Sequence, residues 1–83
     1  MIDILIVEDN PEISETLTDF LRAENYVVST ADNGERALSL FERYGARLVL
    51  LDIMLPGMDG FAVCERIRRS SDTPIIILSA RGG

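Results

Sequence analysis

Histidine, lysine and tryptophan are all missing from this chain, and cysteine occurs once. Without histidine the commonest general base and the commonest zinc ligand are gone. The single Cys64 excludes an internal disulfide and a cysteine metal cage. All 8 basic residues are arginine, against 14 acidic ones, for a formal charge of −6. That balance disfavours a grip on the nucleic-acid backbone, which needs cationic side chains, so no direct nucleic-acid binding is expected. Arg66, Arg68 and Arg69 cluster, but near a helix end, where the macrodipole already favours cations. No apolar run approaches the ~18 residues of a membrane span. The start, Met1-Ile2-Asp3, has no basic n-region, so no secretory signal is visible and the cytoplasm is the expected location.

What is present suits one small α/β domain. The chain has 83 residues, 47% of them hydrophobic. A chain of this size buries about 60% or slightly more of its unfolded surface, so its stability should be modest. Ile2 to Val7 is a short β-branched apolar run, the mark of a buried strand. Asn10-Pro11 then reads as a helix cap followed by proline at the first helical position. Ile13, Leu17, Phe20 and Leu21 follow at helical spacing and should form one apolar face. Tyr26 to Ala31 reads as a second strand, and Asp32-Asn33-Gly34 as a turn. A helix over Glu35 to Tyr44 should turn Ala37, Leu38, Phe41 and Tyr44 inward and stop at Gly45. Leu48 to Ile53 is a third strand. Leu55-Pro56-Gly57 is a loop, and Asp59 caps a helix from Gly60 to Arg69 that should bury Phe61, Cys64 and Ile67. Ile75 to Ser79 is a fourth strand. Continuous apolar strands alternating with helices predict a parallel sheet covered on both faces.

In such a sheet, ligands gather outside the carboxyl ends of the strands, where strand order reverses. Glu8 and Asp9 end the first strand, Asp52 nears the end of the third, and Ser79 ends the fourth. If the first and third strands are neighbours, three acids and a hydroxyl converge, with Asp52 emerging from the core to meet solvent. Carboxylates that close repel one another and call for a cation. Oxygen ligands without histidine or cysteine suit Mg2+. A carboxylate beside such an ion can attack phosphorus and form an acyl phosphate.

Val7–Asn10 (VEDN), Leu50–Gly60 (LLDIMLPGMDG) and Pro74–Arg81 (PIIILSAR) together resemble the receiver domain of bacterial two-component response regulators. The resemblance runs the length of the chain in the right order, and the middle motif is the most specific. It implies a flavodoxin-like fold. It implies that Asp52 accepts a phosphoryl group from a phosphohistidine on a sensor histidine kinase. Asp9, Asp52 and the backbone carbonyl of Met54 would ligate Mg2+, with Glu8 acting through a water. Ser79 would hydrogen-bond the phosphoryl oxygen and draw its loop inward as the switch. The wording around Leu55–Gly60 and Arg66–Ala80 further resembles receivers joined to winged-helix DNA-binding effectors.

The departures carry information too. Receivers of this family continue through a fourth helix, a fifth strand bearing a phosphate-contacting lysine before it, and a fifth helix. The chain has no lysine, and Arg81 is a poor substitute, being broader and on a different strand end. Residues 1–83 are therefore expected to be a C-terminally truncated receiver without an effector domain, impaired in switching and not itself an enzyme. An uncovered fourth strand would invite pairing with another chain. Self-association or element swapping through Ile75–Leu78 is thus a competing expectation, that of a non-catalytic half-domain. A magnesium-dependent phosphohydrolase ranks last, because the second acid such enzymes place two residues past the nucleophile is here Met54.

Overall fold

The computed structural model describes residues 1–78. The elements alternate as the sequence requires: β1 (Ile2–Val7), α1 (Pro11–Ala23), β2 (Val28–Ala31), α2 (Gly34–Tyr44), β3 (Ala46–Asp52), α3 (Gly60–Arg68) and β4 (Ile75–Leu78). Among the described residues the four strands form one parallel sheet in the order β2-β1-β3-β4. The first and third strands are neighbours, as the site requires, in the expected flavodoxin-like arrangement.

Strand alternation sorts the core into two layers. Leu5 and Val7 of β1 join Val49 and Leu51 of β3 under α2 and α3, against Ala37, Leu38, Val63 and Ile67. Ile4 and Ile6 point the other way, with Val28, toward Leu17 and Leu21 of α1. Each fully buried side chain of this size contributes about 1.5–3 kcal/mol, so the central strands dominate the fold's stability.

Local chemistry fixes the helix ends. Asn10 Oδ1 accepts from the Glu12 and Ile13 N–H groups at 2.9 and 3.4 Å, and Pro11 opens α1 as expected. Asn33 caps α2 through the Arg36 N–H at 2.9 Å. Gly34, expected in the turn, is instead the first residue of that helix. Gly45 ends it at φ +70°, a left-handed conformation that glycine adopts without a Cβ penalty. Asp59 caps α3 through the Ala62 N–H at 2.9 Å.

Several side chains expected inside are outside. Phe20 is 69% exposed and Phe61 66%, and Tyr44 is about half exposed. On α3 the buried residues are Gly60, Val63 and Ile67, one position round from the Phe61–Cys64 stripe; Cys64 packs only partly against the core. β2 begins at Val28: the Val27 carbonyl still accepts from the Asp3 and Ile4 N–H groups of β1, but the N–H groups before Val28 turn to other partners. The Tyr26 N–H donates to Leu21 O, and the Val27 N–H to Asp3 Oδ2 at 2.8 Å. β3 begins earlier than expected, since Ala46 pairs with Ile2.

β4 pairs with β3 along its length and carries extra polar anchors at its start. Arg68 Nη1 donates to Thr73 O at 2.6 Å, Thr73 Oγ1 donates to Ala46 O at 3.3 Å, and the Val49 N–H donates to Pro74 O at 3.0 Å. Register then runs Val49↔Ile75 to Asp52↔Leu78. Ile76 and Ile77 are exposed, so cover on both faces does not extend to this strand among the described residues.

Candidate functional site

The parallel pairing of β1 with β3 brings Val7 opposite Leu51. The next residues in each chain segment, Glu8 and Asp52, therefore leave the sheet side by side. The Glu8 N–H still donates to Ala31 O at 3.0 Å, which extends the β1–β2 pairing by one residue and steadies the turn. The Asn10 N–H donates to Glu8 Oε2 at 3.1 Å. The residue that caps α1 thus also holds the Glu8 carboxylate. On the other strand, the Met54 N–H donates to Asp52 Oδ1 at 2.9 Å and fixes the plane of that carboxyl group.

Glu8, Asp9 and Asp52 each offer a carboxylate oxygen within 4.8 Å of the others. Glu8 is 4% exposed and Asp52 3%, while Asp9 is open to solvent. Asp52 is thus at the strand end but is buried rather than emerging into water as expected. Burial pushes the Glu8 carboxyl above its ordinary value. The Asn10 N–H opposes that shift, and the Asp52 charge and close contact with Asp52 and Asp9 add to it. The ion pairs among the described residues lie elsewhere, Arg47–Asp3 at 3.7 Å and Arg69–Glu65 at 4.0 Å.

The donor set tests the metal expectation directly. Three convergent carboxylates, two of them desolvated and without an arginine partner among the described residues, make a hard oxygen cradle short of positive charge. That chemistry fits Mg2+, which is held by one or two carboxylates and keeps several waters. Of the residues expected at the site, Glu8, Asp9 and Asp52 come together; Met54 touches Asp52 through its N–H, not the carbonyl expected to ligate, and its side chain is exposed. Ser79 lies outside the described residues. A cavity of about 390 Å³ opens at the opposite end of the sheet, beside Gly45, Ala46 and Thr73; it is remote from the acids and has no part in this chemistry.

One residue of the site escaped the sequence reading. Gly60 was expected only as the first residue of α3. Its N–H donates to Ile53 O at 3.1 Å. A Cβ placed on it would overlap Ile53 Cα and lie 2.8 Å from Asp52 O. The available signal was the residue type itself, since glycine inside the first turn of a helix is a poor helix former that needs a packing reason.

This geometry has parallels. The family model of the response regulator receiver domain matches residues 4–83. The transcriptional regulatory protein BaeR of Escherichia coli O6:H1 is 44% identical over 78 residues, 94% of this chain and 32% of its own length. The sensory transduction protein RegX3 of Mycolicibacterium smegmatis is 44% identical over 81 residues, 98% of this chain and 36% of its own. The chain therefore spans about a third of the curated relatives it matches. Among solved structures, the response regulator TrrA of Thermotoga maritima, in complex with Mg2+ and BeF, superposes with a TM-score of 0.89 at 42% identity, over 99% of this chain and 72% of that one. TrrA in complex with the histidine kinase ThkA gives 0.88 at 43% identity, over 100% and 72%. The sheet order, the buried acids at the ends of β1 and β3, and the match over residues 4–83 place the chain in the response regulator receiver domain family.

Proposed function

We propose that this chain is the phosphoacceptor part of a phosphorelay, taking a phosphoryl group on Asp52 from a phosphohistidine of a sensor histidine kinase. The observation that carries the reading is the meeting of Glu8, Asp9 and Asp52 within 4.8 Å at the ends of adjacent parallel strands. Asp9, Asp52 and the Met54 carbonyl would hold Mg2+ directly, and Glu8 through a water. When bound, the ion neutralises charge on the carboxylates and on the transferring phosphoryl oxygens.

The residues themselves divide the work. The Met54 N–H on Asp52 Oδ1 orients the carboxyl group and leaves its other oxygen as the nucleophile. That oxygen forms a bond to phosphorus as the phosphorus–nitrogen bond of the donor breaks, and the imidazole leaves with the electron pair and takes up a proton. The product is an acyl phosphate on Asp52, later cleaved by water. Asn10 keeps Glu8 turned toward the acids. Ser79 retains its sequence-based assignment as the phosphoryl hydrogen-bond donor. This is stoichiometric acceptance, with self-phosphorylation from small donors as its furthest extent, rather than turnover of an external substrate. Support for a kinase partner comes from TrrA, a relative solved with one. A cytoplasmic setting follows from that partnership, and no helix among the described residues is long and apolar enough to cross a membrane.

A small acyl phosphate donor with Mg2+ should add one phosphoryl mass to the wild type and none to Asp52→Asn. Equal labelling of both would end the assignment. Association through β4 is a second reading, favoured by the exposed Ile76 and Ile77. It expects oligomers insensitive to Mg2+ and donor; a monomer in sedimentation at high concentration would dismiss it.

A further inference from the structure

The loop from Ile53 to Asp59 carries the Met54 backbone, which both supports Asp52 and supplies the proposed ligand carbonyl. Pro56 and Gly57 shape its outer tip, where Gly57 takes φ +74° with open space where a Cβ would stand. The tip alone cannot fix the position of Met54. Something must pin the loop's two ends together.

We propose that Gly60 is that pin, a positioning residue for the acidic site. This rests on the reading of Glu8, Asp9 and Asp52 as a metal and phosphoacceptor centre. Gly60 closes the loop in two ways. Its N–H donates to Ile53 O at 3.1 Å, joining the first turn of α3 to the end of β3. Its lack of a side chain lets that turn press onto the backbone of Asp52 and Ile53, where a Cβ would stand 2.8 Å from Asp52 O and 3.0 Å from Ile53 Cγ2. The contact is backbone on backbone, so no rotamer change relieves it. An added methyl must push the strand end and the helix apart. The groups displaced are Asp52 and the adjoining Ile53–Met54 peptide. Asp59 assists from the next position by capping the same turn through the Ala62 N–H. On the far side the loop rests on α2, with Met58 lying against Gly34. The acid site is thereby tied to the start of a helix that contributes no side chain to it.

The test separates positioning from general stability. Mg2+ is titrated into the wild type, Gly60→Ala and Ile67→Val, following the amide signals of Asp9, Asp52 and Met54. Ile67→Val loosens the buried face of the same helix away from the loop. Gly60→Ala should weaken Mg2+ binding at least tenfold and shift the Met54 amide even without metal, while Ile67→Val stays within twofold. Wild-type affinity in Gly60→Ala, or equal weakening in both variants, would overturn the proposal. Should Gly60→Ala not fold, Asp59→Asn and Asp59→Ala decide. Both remove the charge but only the first keeps a capping oxygen, so Asp59→Ala should bind Mg2+ severalfold more weakly than Asp59→Asn. Equal affinities in that pair would refute the idea. A wild type that takes up neither Mg2+ nor a phosphoryl group would instead refute the underlying site reading, and this proposal with it.

Discussion

Replacing Asp52 with asparagine should make the metal-free protein more stable. Asp52 and Glu8 are both buried, and their carboxylate oxygens approach within 4.8 Å. Two unit charges at that separation repel by about 0.9 kcal/mol in bulk water and about 3.5 kcal/mol at the effective dielectric of a protein edge. Asp52→Asn removes this repulsion and the cost of desolvating one anion, yet keeps an oxygen to accept the Met54 N–H. Its new amide donors face the Glu8 carboxylate, which can accept them. The expected gain is about 1–3 kcal/mol. Against a total of about 4–12 kcal/mol for a chain this size, that is a large fraction. It should raise the thermal midpoint by roughly 10 °C, at about 4–8 °C per kcal/mol. The assay is thermal and urea unfolding at neutral pH with a chelator, then with millimolar Mg2+. The variant should lead in chelator, and the gap should close or reverse with Mg2+, which stabilises only the protein that binds it. A variant no more stable than wild type in chelator would show that the carboxylates do not share a desolvated space, and the electrostatic account of the site would fail.

Three further outcomes follow from other contacts. Because burial raises the Glu8 pKa in the fold, the folded state holds its proton more tightly than the unfolded chain; the associated penalty is absent below the ordinary value of 4.5 and complete above the folded value. Without metal, the stability advantage of Glu8→Gln over wild type should therefore shrink on acidification and vanish below 4.5, and urea midpoints against pH check it. Gly34→Ala should cost about 1–2 kcal/mol in thermal unfolding despite alanine's better helix propensity, because the new Cβ would lie 2.7 Å from Cγ2 of stiff, β-branched Val63. Asp3→Ala should cost about 0.5–1.5 kcal/mol by removing the charged acceptor of the Val27 N–H, whereas Arg47→Ala, which removes only an exposed ion pair, should cost under ~0.5 kcal/mol by the same assay.

The acidic cradle was legible in the sequence because its logic is topological. Once Ile2–Val7 and the run ending at Asp52 are recognised as parallel neighbours, strand geometry brings Glu8 and Asp52 together without knowledge of any side-chain contact. Caps were legible for a similar reason, since Asn10 and Asp59 act within three residues of themselves. What escaped was the facing of helices. Hydrophobicity favours Phe61 over Gly60 as a core residue, yet α3 approaches the sheet so closely at its first turn that only a residue without a side chain fits there. The helix is rotated accordingly and Phe61 is left outside. Phe20 and Tyr44 sit at the borders of apolar stripes, where periodicity does not say which flank the sheet reaches. The start of β2 was misjudged because Tyr26 and Val27 have strand-like side chains, yet the Tyr26 N–H turns back to α1 and the Val27 N–H to the Asp3 carboxylate, only the Val27 carbonyl meeting β1.

The anchoring of β4 at Thr73 and Pro74 has a consequence for the opposite end of the strand. Ile75-Ile76-Ile77-Leu78 is greasy on both faces, so sliding it by one position would exchange like for like and leave the core nearly indifferent. Among the described residues, the polar contacts that mark one alignment are the Thr73 hydroxyl on Ala46 O, the Val49 N–H on Pro74 O, and Arg68 bracing Thr73 through its carbonyl. Which residue stands beside Asp52 is therefore decided a strand's length away, by a threonine hydroxyl and an arginine that contact none of the acids.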